Sequence, residues 1–151
     1  MNNVSDPGHP AESGVPAGTE QEIYLLLEAA RSLQARLESA LEGVGLSGAK
    51  YLALEHLVRE REPVALGDLA GRLNCVRSNI TQLVDRLETD GLVERVSDPV
   101  DRRAVRARVT SLGAERYAAG ADAIRGVQAE LADRVAPEDR AVLHRVLSAF
   151  R

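Results

Sequence analysis

The chain has 151 residues, a formal net charge of −4, 44% hydrophobic residues and a single cysteine. This length suits one compact domain or one half of a helical dimer. One cysteine excludes an internal disulfide, no run approaches the ~18 apolar residues of a membrane span, and the N-terminus lacks a secretory signal pattern. We therefore expect a protein of the cytoplasm.

The N-terminal part of the chain divides into a tail and a long helix. Residues 1–19 combine prolines with Gly, Ser and acidic residues, which predicts a disordered tail. Residues 20–46 carry an apolar stripe at helical spacing, interrupted by Gly43 and Gly45 at its end. A small lobe alone cannot cover a face of this length, so we expect it to pair with the C-terminal helices and with a second subunit.

Residues 47–110 alternate between short helices and strands. Ser47 can cap a second helix, which Pro63 stops. A short apolar strand, a small helix, a turn and a further helix follow. Apolar residues at helical spacing give this last helix one core-facing side: Ile80, Leu83, Val84 and Leu87.

The first turns of the same helix are crowded with polar side chains that can bond base edges and phosphates. They are Arg77, Ser78, Asn79, Thr81 and Gln82. Helix-turn-helix proteins insert the N-terminal residues of a recognition helix into the major groove of DNA. The pattern predicts a DNA-reading helix, in which Thr81 contacts a phosphate and the other four side chains face bases.

A charged hairpin follows Gly91, a residue typical of a helix C-terminus. Val93 and Val96 begin its first strand, and a turn starts at Asp98. On the returning strand, Val105, Ala107 and Val109 alternate with Arg106 and Arg108. Such a β-wing can place arginine in a neighbouring minor groove, where the negative potential is strong if the groove is narrow.

Charge is distributed unevenly along the chain. Residues 1–70 hold 5 basic and 11 acidic side chains (−6), residues 71–110 hold 8 and 6 (+2), and residues 111–151 hold 6 of each. Positive charge is therefore concentrated in the segment predicted to contact DNA, in spite of the acidic total.

The segment from the small helix to the end of the hairpin resembles the winged helix of the MarR family of bacterial transcription regulators. Its wing signature is matched by Asp98, Asp101, Arg102 and Arg103, and its next landmark by Thr110 and Gly113, although the proline usual between them is missing. The resemblance extends more weakly over residues 20–150.

The resemblance implies a mainly α fold, an α+β winged helix at 47–110 with dimerisation helices at 20–46 and 111–151. It also implies a homodimer that binds double-stranded DNA at a pseudo-palindromic operator, most often as a ligand-responsive repressor.

Two positions depart from the family pattern. Val76 stands where the recognition helix usually has a Ser or Asp cap, so we expect Asn74 or a phosphate oxygen to satisfy its first amides. Val100 replaces a frequent wing arginine, which makes Arg102 the expected minor-groove residue. We expect Asp98 and Asp101 to stiffen the wing by pairing with Arg103 and with a second arginine, either Arg86 or Arg95.

The family's effectors are often small aromatic acids held between the dimer helices and the winged lobe. Five residues with polar tips lie on helices that can border such a cleft: Tyr24, Arg31, Tyr51, His56 and Tyr117. For any single one of these residues, aromatic filler or surface charge is the simpler explanation. The three histidines lack metal-ligand spacing, so we expect no metal site and no cofactor.

Alternative functions stay open at this point. Motifs of hydrolases, nucleotide-binding enzymes and zinc proteases are absent from the sequence, which argues against an enzyme. A winged helix can also dock a protein in place of DNA. Cys75, which precedes the recognition helix, can act either as a redox sensor or as a small buried core residue; we expect the core role.

Overall fold

The computed structural model describes residues 18–98, 101 and 104–150. These residues form a mainly helical fold with a small antiparallel sheet, as predicted. The elements are α1 (Thr19–Glu42), α2 (Gly48–Arg59), β1 (Val64–Ala65), α3 (Leu66–Arg72), α4 (Arg77–Thr89), β2 (Val93–Ser97), β3 (Val105–Val109), α5 (Ser111–Arg134) and α6 (Pro137–Ser148). The predicted tail, apart from its last two residues, lies outside the described residues, as do Arg102 and Arg103.

The chain divides into two compact units, residues 1–33 and residues 34–151. The described part of the first unit is the N-terminal portion of α1. Large apolar side chains are exposed along it: Ile23, Tyr24, Leu25 and Leu27. The second unit holds the end of α1 and all the remaining elements.

Three short strands form one antiparallel sheet in the order β1-β3-β2. Val93 pairs with Val109 and Ser97 with Val105, which confirms the predicted hairpin. On β3, the predicted alternation of inward and outward side chains is seen at Ala107, which is fully buried, and at Arg108, which is exposed. Val105 was expected to face the core but is 40% exposed, because this end of the hairpin extends past the core.

The core of the second unit lies between the helices and one face of the sheet. Its largest fully buried side chains come from α2, α3 and α4: Leu54, Leu69, Ile80, Val84 and Leu87. The predicted cap of α2 is present, since Ser47 Oγ accepts a hydrogen bond from the Lys50 amide at 3.3 Å. This core holds α4 from one side only.

The end of α4 and the start of α5 are joined through Thr110. Its hydroxyl donates to the Gly91 carbonyl at 2.7 Å and accepts from the Gly113 amide at 3.0 Å. Gly91 has a φ of +72°, the left-handed geometry that glycine adopts at helix ends. A Cβ on Gly113 would lie 2.0 Å from the Leu92 carbonyl oxygen, so only glycine permits this approach.

The C-terminal helix α6 packs no residue into the core. It begins at Pro137, the predicted first-turn proline, and every one of its residues is exposed. Large apolar side chains are nevertheless frequent at this end of the chain: Val142, Leu143, Val146, Leu147 and Phe150. Within the described ranges, no helix is long and apolar enough to span a membrane.

We expect Gly113→Ala to destabilise the second unit by about 1–3 kcal/mol, the usual cost of overpacking. The added methyl group would meet a backbone carbonyl, which cannot rotate aside. Gly126→Ala in the same helix is the matched control: nothing lies within 4 Å of its added Cβ, so better helix propensity should stabilise by up to ~1 kcal/mol. Urea unfolding followed by circular dichroism measures both variants, and equal midpoints would contradict the close contact.

Candidate nucleic-acid interface

Helix α4 has two chemically different sides. Ile80, Val84 and Leu87 are fully buried against the core, which confirms the predicted apolar face. The five polar side chains predicted to read DNA are all exposed: Arg77, Ser78, Asn79, Thr81 and Gln82. The N-terminal half of the helix therefore offers solvent a cluster of hydrogen-bonding groups on a rigid support.

Local contacts orient two of these polar residues. The Thr81 hydroxyl donates to the Arg77 carbonyl at 3.1 Å, which leaves its lone pairs and methyl group facing outward. The Arg77 guanidinium lies beside α3, since a Cβ on Gly67 would be 3.5 Å from its Nη2. Within the described residues, no ion pair holds Arg77, so its five donors can be offered to an anion or a base edge.

The N-terminus of α4 has no side-chain cap. Val76 occupies the cap position in an extended conformation, with φ −72° and ψ 152°. Asn74, expected as a substitute, lies in the preceding turn at φ +49° and makes no side-chain hydrogen bond to the first helical turn among the described residues. A missing cap costs typically about 1 kcal/mol. The Asn79 amide donates to the Val76 carbonyl at 3.0 Å, which leaves the Arg77 and Ser78 amides to donate to an anionic group from outside the chain.

Arg95 on β2 forms ion pairs with two acidic residues on the outer side of α4. Its guanidinium bonds Asp85 and Glu88, each at 2.5 Å, and its Nη2 also reaches the Thr81 carbonyl at 3.4 Å. Burial alone lowers the pKa of Arg95, but the bonds to both carboxylates outweigh it and the pKa is raised. The single positive charge of Arg95 offsets half of the negative charge of these two carboxylates, and its bonds connect β2 to α4.

The turn of the wing is built around Asp98, which is 8% exposed. One carboxylate oxygen accepts the Asp101 amide at 3.0 Å, and the other accepts Arg106 Nε at 2.5 Å. Arg106 also donates to the Pro63 carbonyl at 3.1 Å, which joins the wing to the residue before β1. The structural role predicted for Asp98 is thus realised by local contacts.

One arginine partner of Asp98 was not expected. Arg106 on the facing strand pairs with Asp98, and Arg95, considered for the wing carboxylates, pairs with Asp85 and Glu88. Arg103, the expected partner of Asp98, and Arg102, the expected minor-groove residue, both lie outside the described residues, so these two assignments stay predictions.

Comparisons with known proteins agree with this geometry. The sequence model of the MarR family matches residues 49–105, which run from α2 into β3. The crystal structure of AbsC, a MarR family transcriptional regulator from Streptomyces coelicolor, superposes with a TM-score of 0.74 at 28% identity, covering 91% of this chain and 95% of that one. Residues 49–105 thus match the MarR family model, and the described fold is the winged helix of MarR family structures.

Two further relatives illustrate the range of the similarity. The helix-turn-helix transcriptional regulator YkoM of Bacillus subtilis is 37% identical over 71 residues, which cover 47% of this chain and 46% of that protein. A Staphylococcus aureus MepR mutant bound to an oligodeoxyribonucleotide shares the fold at 19% identity, with a TM-score of 0.66 and coverage of 85% and 97%.

Across the curated relatives, the aligned region spans only 38–62% of their own length. The family and these relatives are transcription regulators and not enzymes.

A cleft of about 470 Å³ lies beside α4. Cys75 on its wall is half-buried, so the core position expected for it is only partly realised. The lining combines apolar and polar side chains from α2, α4 and the turn before α4: Ala49, Leu52, Leu73, Cys75, Asn79, Gln82, Leu83 and Arg86.

Of the five residues considered for an effector pocket, the structure brings Tyr51 and Tyr117 together. Their rings stack with centroids 5.3 Å apart and planes at 24°. Burial, followed by the neighbouring Tyr117, raises the pKa of Tyr51. His56 is half-buried on α2, while Tyr24 and Arg31 are exposed in the first unit. Among the described residues, no cluster of His, Cys, Asp or Glu has the arrangement of a metal site.

Sequence reasoning missed Arg95 and Arg106 as the residues that organise the interface. Arg106 was noted only for its place in the alternation of the returning strand, and Arg95 only as a possible partner of the wing carboxylates. A signal for Arg95 existed, because Asp85 and Glu88 lie three residues apart and so share one flank of a helix. The pairing with Arg95 became clear only from the structure, in which β2 runs beside that flank of α4.

We expect Asp98→Ala to destabilise the wing by about 1–3 kcal/mol, since it leaves the half-buried Arg106 without its carboxylate. Hydrogen exchange of the Asp101 amide should accelerate, because its acceptor is lost. Glu94→Ala is the control: Glu94 pairs with Arg108 at 3.3 Å with both side chains 52% exposed, so removing it should change little. Equal amide exchange in the two variants would refute the role of Asp98.

Proposed function

We propose that this protein is a MarR family regulator that binds double-stranded DNA as a homodimer and represses transcription from a pseudo-palindromic operator. The observation that carries the proposal is the exposed polar cluster on the first turns of α4, opposite a fully buried apolar face and beside a β-wing. The DNA-bound MepR mutant, which has the same fold, supports this use of the helix.

Electrostatics support the same surface. The +2 segment at 71–110 contains both α4 and the wing, while the preceding 70 residues carry −6. Arg95 offsets half of the negative charge of Asp85 and Glu88 on the flank of α4, which lowers the repulsion that a phosphate backbone would meet. A protein that acts on DNA in this way works in the cytoplasm of a bacterium, where we place it.

The wing contributes the second contact in this proposal. Arg102 follows Asp101, whose amide donates to the Asp98 carboxylate at 3.0 Å. We assign Arg102 to the minor groove and Arg103 to contacts within the wing, both on the strength of the sequence. Arginine suits a narrow minor groove, because its guanidinium is weakly hydrated.

A gel-shift assay with the DNA upstream of the chain's own gene tests the core of the proposal. A regulator should retard this DNA selectively, and its affinity should fall steeply with salt as phosphate contacts are screened. If the protein retards neither the cognate DNA nor random DNA, the proposal of DNA binding is overturned, and a winged helix that docks a protein is favoured. Retardation that is identical on both would overturn operator recognition.

We expect Arg77→Ala to weaken operator binding by about 1–3 kcal/mol, the range of one good base contact. The loss should be larger on the operator than on random DNA, because a base contact is made only at the cognate sequence. Arg125→Ala, which removes an arginine paired with Asp122 on α5, controls for the change in net charge. An equal loss on both DNAs would reassign Arg77 to the phosphate backbone.

Dimerisation is proposed through helices at 20–46 and 111–151. Helix α6 exposes Val142, Leu143, Val146 and Leu147, and α5 adds Leu131. Exposed apolar area on this scale is typical of a surface that another subunit covers. Two-fold pairing would also set two copies of α4 at the spacing of operator half-sites.

We expect deletion of residues 138–151 to yield aggregated or unfolded protein, because it removes α6 and leaves the apolar side of α5 uncovered. Analytical ultracentrifugation of the full chain should give a dimer at micromolar concentration. A stable, soluble monomer from the truncated chain would exclude these helices as the interface.

We also propose that a small aromatic or phenolic acid releases the DNA. The stacked Tyr51 and Tyr117, on α2 and α5, support it, because they lie where a helix of the reading lobe meets a helix of the proposed dimer region. Tyr24, Arg31 and His56 remain candidates from the sequence. A thermal-shift screen with phenolic acids tests this part, and unchanged melting with every compound at millimolar concentration would remove it.

A further inference from the structure

Val76 is the most solvent-exposed large apolar side chain among the described residues of 47–110. It is 63% exposed, compared with 46% for Leu52 and 40% for Val105. Val76 sits at the cap position of α4, immediately before Arg77 and Ser78. An apolar group thus stands in front of the polar cluster that we propose to read DNA.

Neither helix formation nor core packing explains a valine at this position. Its side chain has no oxygen or nitrogen, so it cannot cap the first-turn amides. The core is filled from this end of α4 by Ile80, which is fully buried. A residue that breaks a local rule at a functional surface is a candidate for a functional role.

The chemistry of the major groove limits what an exposed valine there can recognise. Base edges in this groove present hydrogen-bond donors and acceptors, and the one apolar group in their pattern is the 5-methyl group of thymine. We propose that Val76 contacts a thymine methyl group and so acts as a specificity-determining residue. This inference rests on the proposed DNA-binding function and adds to it one base identity that hydrogen bonds alone do not supply.

The neighbours of Val76 make such a contact selective. Arg77, Ser78 and Asn79 offer donors and acceptors to the adjacent base edges, and all three are exposed. Val76, in contrast, contributes favourable binding free energy only when an apolar surface covers its side chain. Loss of one methyl-sized contact should weaken binding about fourfold, equivalent to about 0.8 kcal/mol.

A thymine-to-uracil scan of the protected operator tests the proposal, because deoxyuridine keeps the base pair and removes only the methyl group. The parent chain, Val76→Ala and Val76→Thr are each titrated with operators that carry one replacement at a time. Val76→Thr keeps one methyl group and can cap the helix, so it separates a gain in helix stability from base reading. Circular dichroism melting verifies that each variant is folded.

We expect one thymine per half-site at which uracil weakens the parent about fourfold and leaves Val76→Ala unchanged. At every other thymine, the two proteins should respond equally. Identical responses of parent and Val76→Ala at all thymines, on an operator that both still bind selectively, would overturn the role of Val76 alone. Failure of the parent to bind any DNA would overturn the proposed function and this inference with it.

Discussion

The burial of one side of α4 determines how the rest of the site is arranged. Ile80, Val84 and Leu87 are fully buried, and α4 packs against α2, α3 and β2. Because a helix turns by a fixed angle per residue, burying these three side chains fixes its rotation. The polar residues at 77–79 and 81–82 must then face solvent. Any rotation of α4 about its axis would remove core contacts, so the helix holds these side chains in place.

A second constraint joins the helix to the wing by charge and not by apolar packing. Arg95 holds Asp85 and Glu88, while Asp98 holds Arg106 at the far end of the hairpin. Arginines in such ion pairs bind carboxylates of the same chain and are not offered to DNA. The arginines that the described ion pairs leave free, such as Arg77, are therefore the ones proposed for DNA, which divides a basic segment into structural and reading residues.

The junction at Thr110 connects this reading lobe to α5, a helix of the proposed dimer region. Its hydroxyl bonds both the end of α4 and the start of α5, and Gly113 lies directly against the Leu92 carbonyl. Because closely packed backbone atoms cannot move nearer to each other, a displacement of one segment at these contacts moves the other segment as well. A shift of α5 in a dimer would accordingly reach the end of α4 through Thr110 and Gly113.

The sequence by itself determined the order of helices and strands, the buried face of α4, the cap at Ser47 and the hairpin after Gly91. These features depend on spacing and on residue types within a few positions, and such local rules can be read along a chain. Only the tertiary structure decided that Arg106 meets Asp98, that Arg95 meets Asp85 and Glu88, and that Tyr51 stacks on Tyr117. Several arginines were within reach of each carboxylate along the sequence, and the choice among them was made by which strand lies beside which helix.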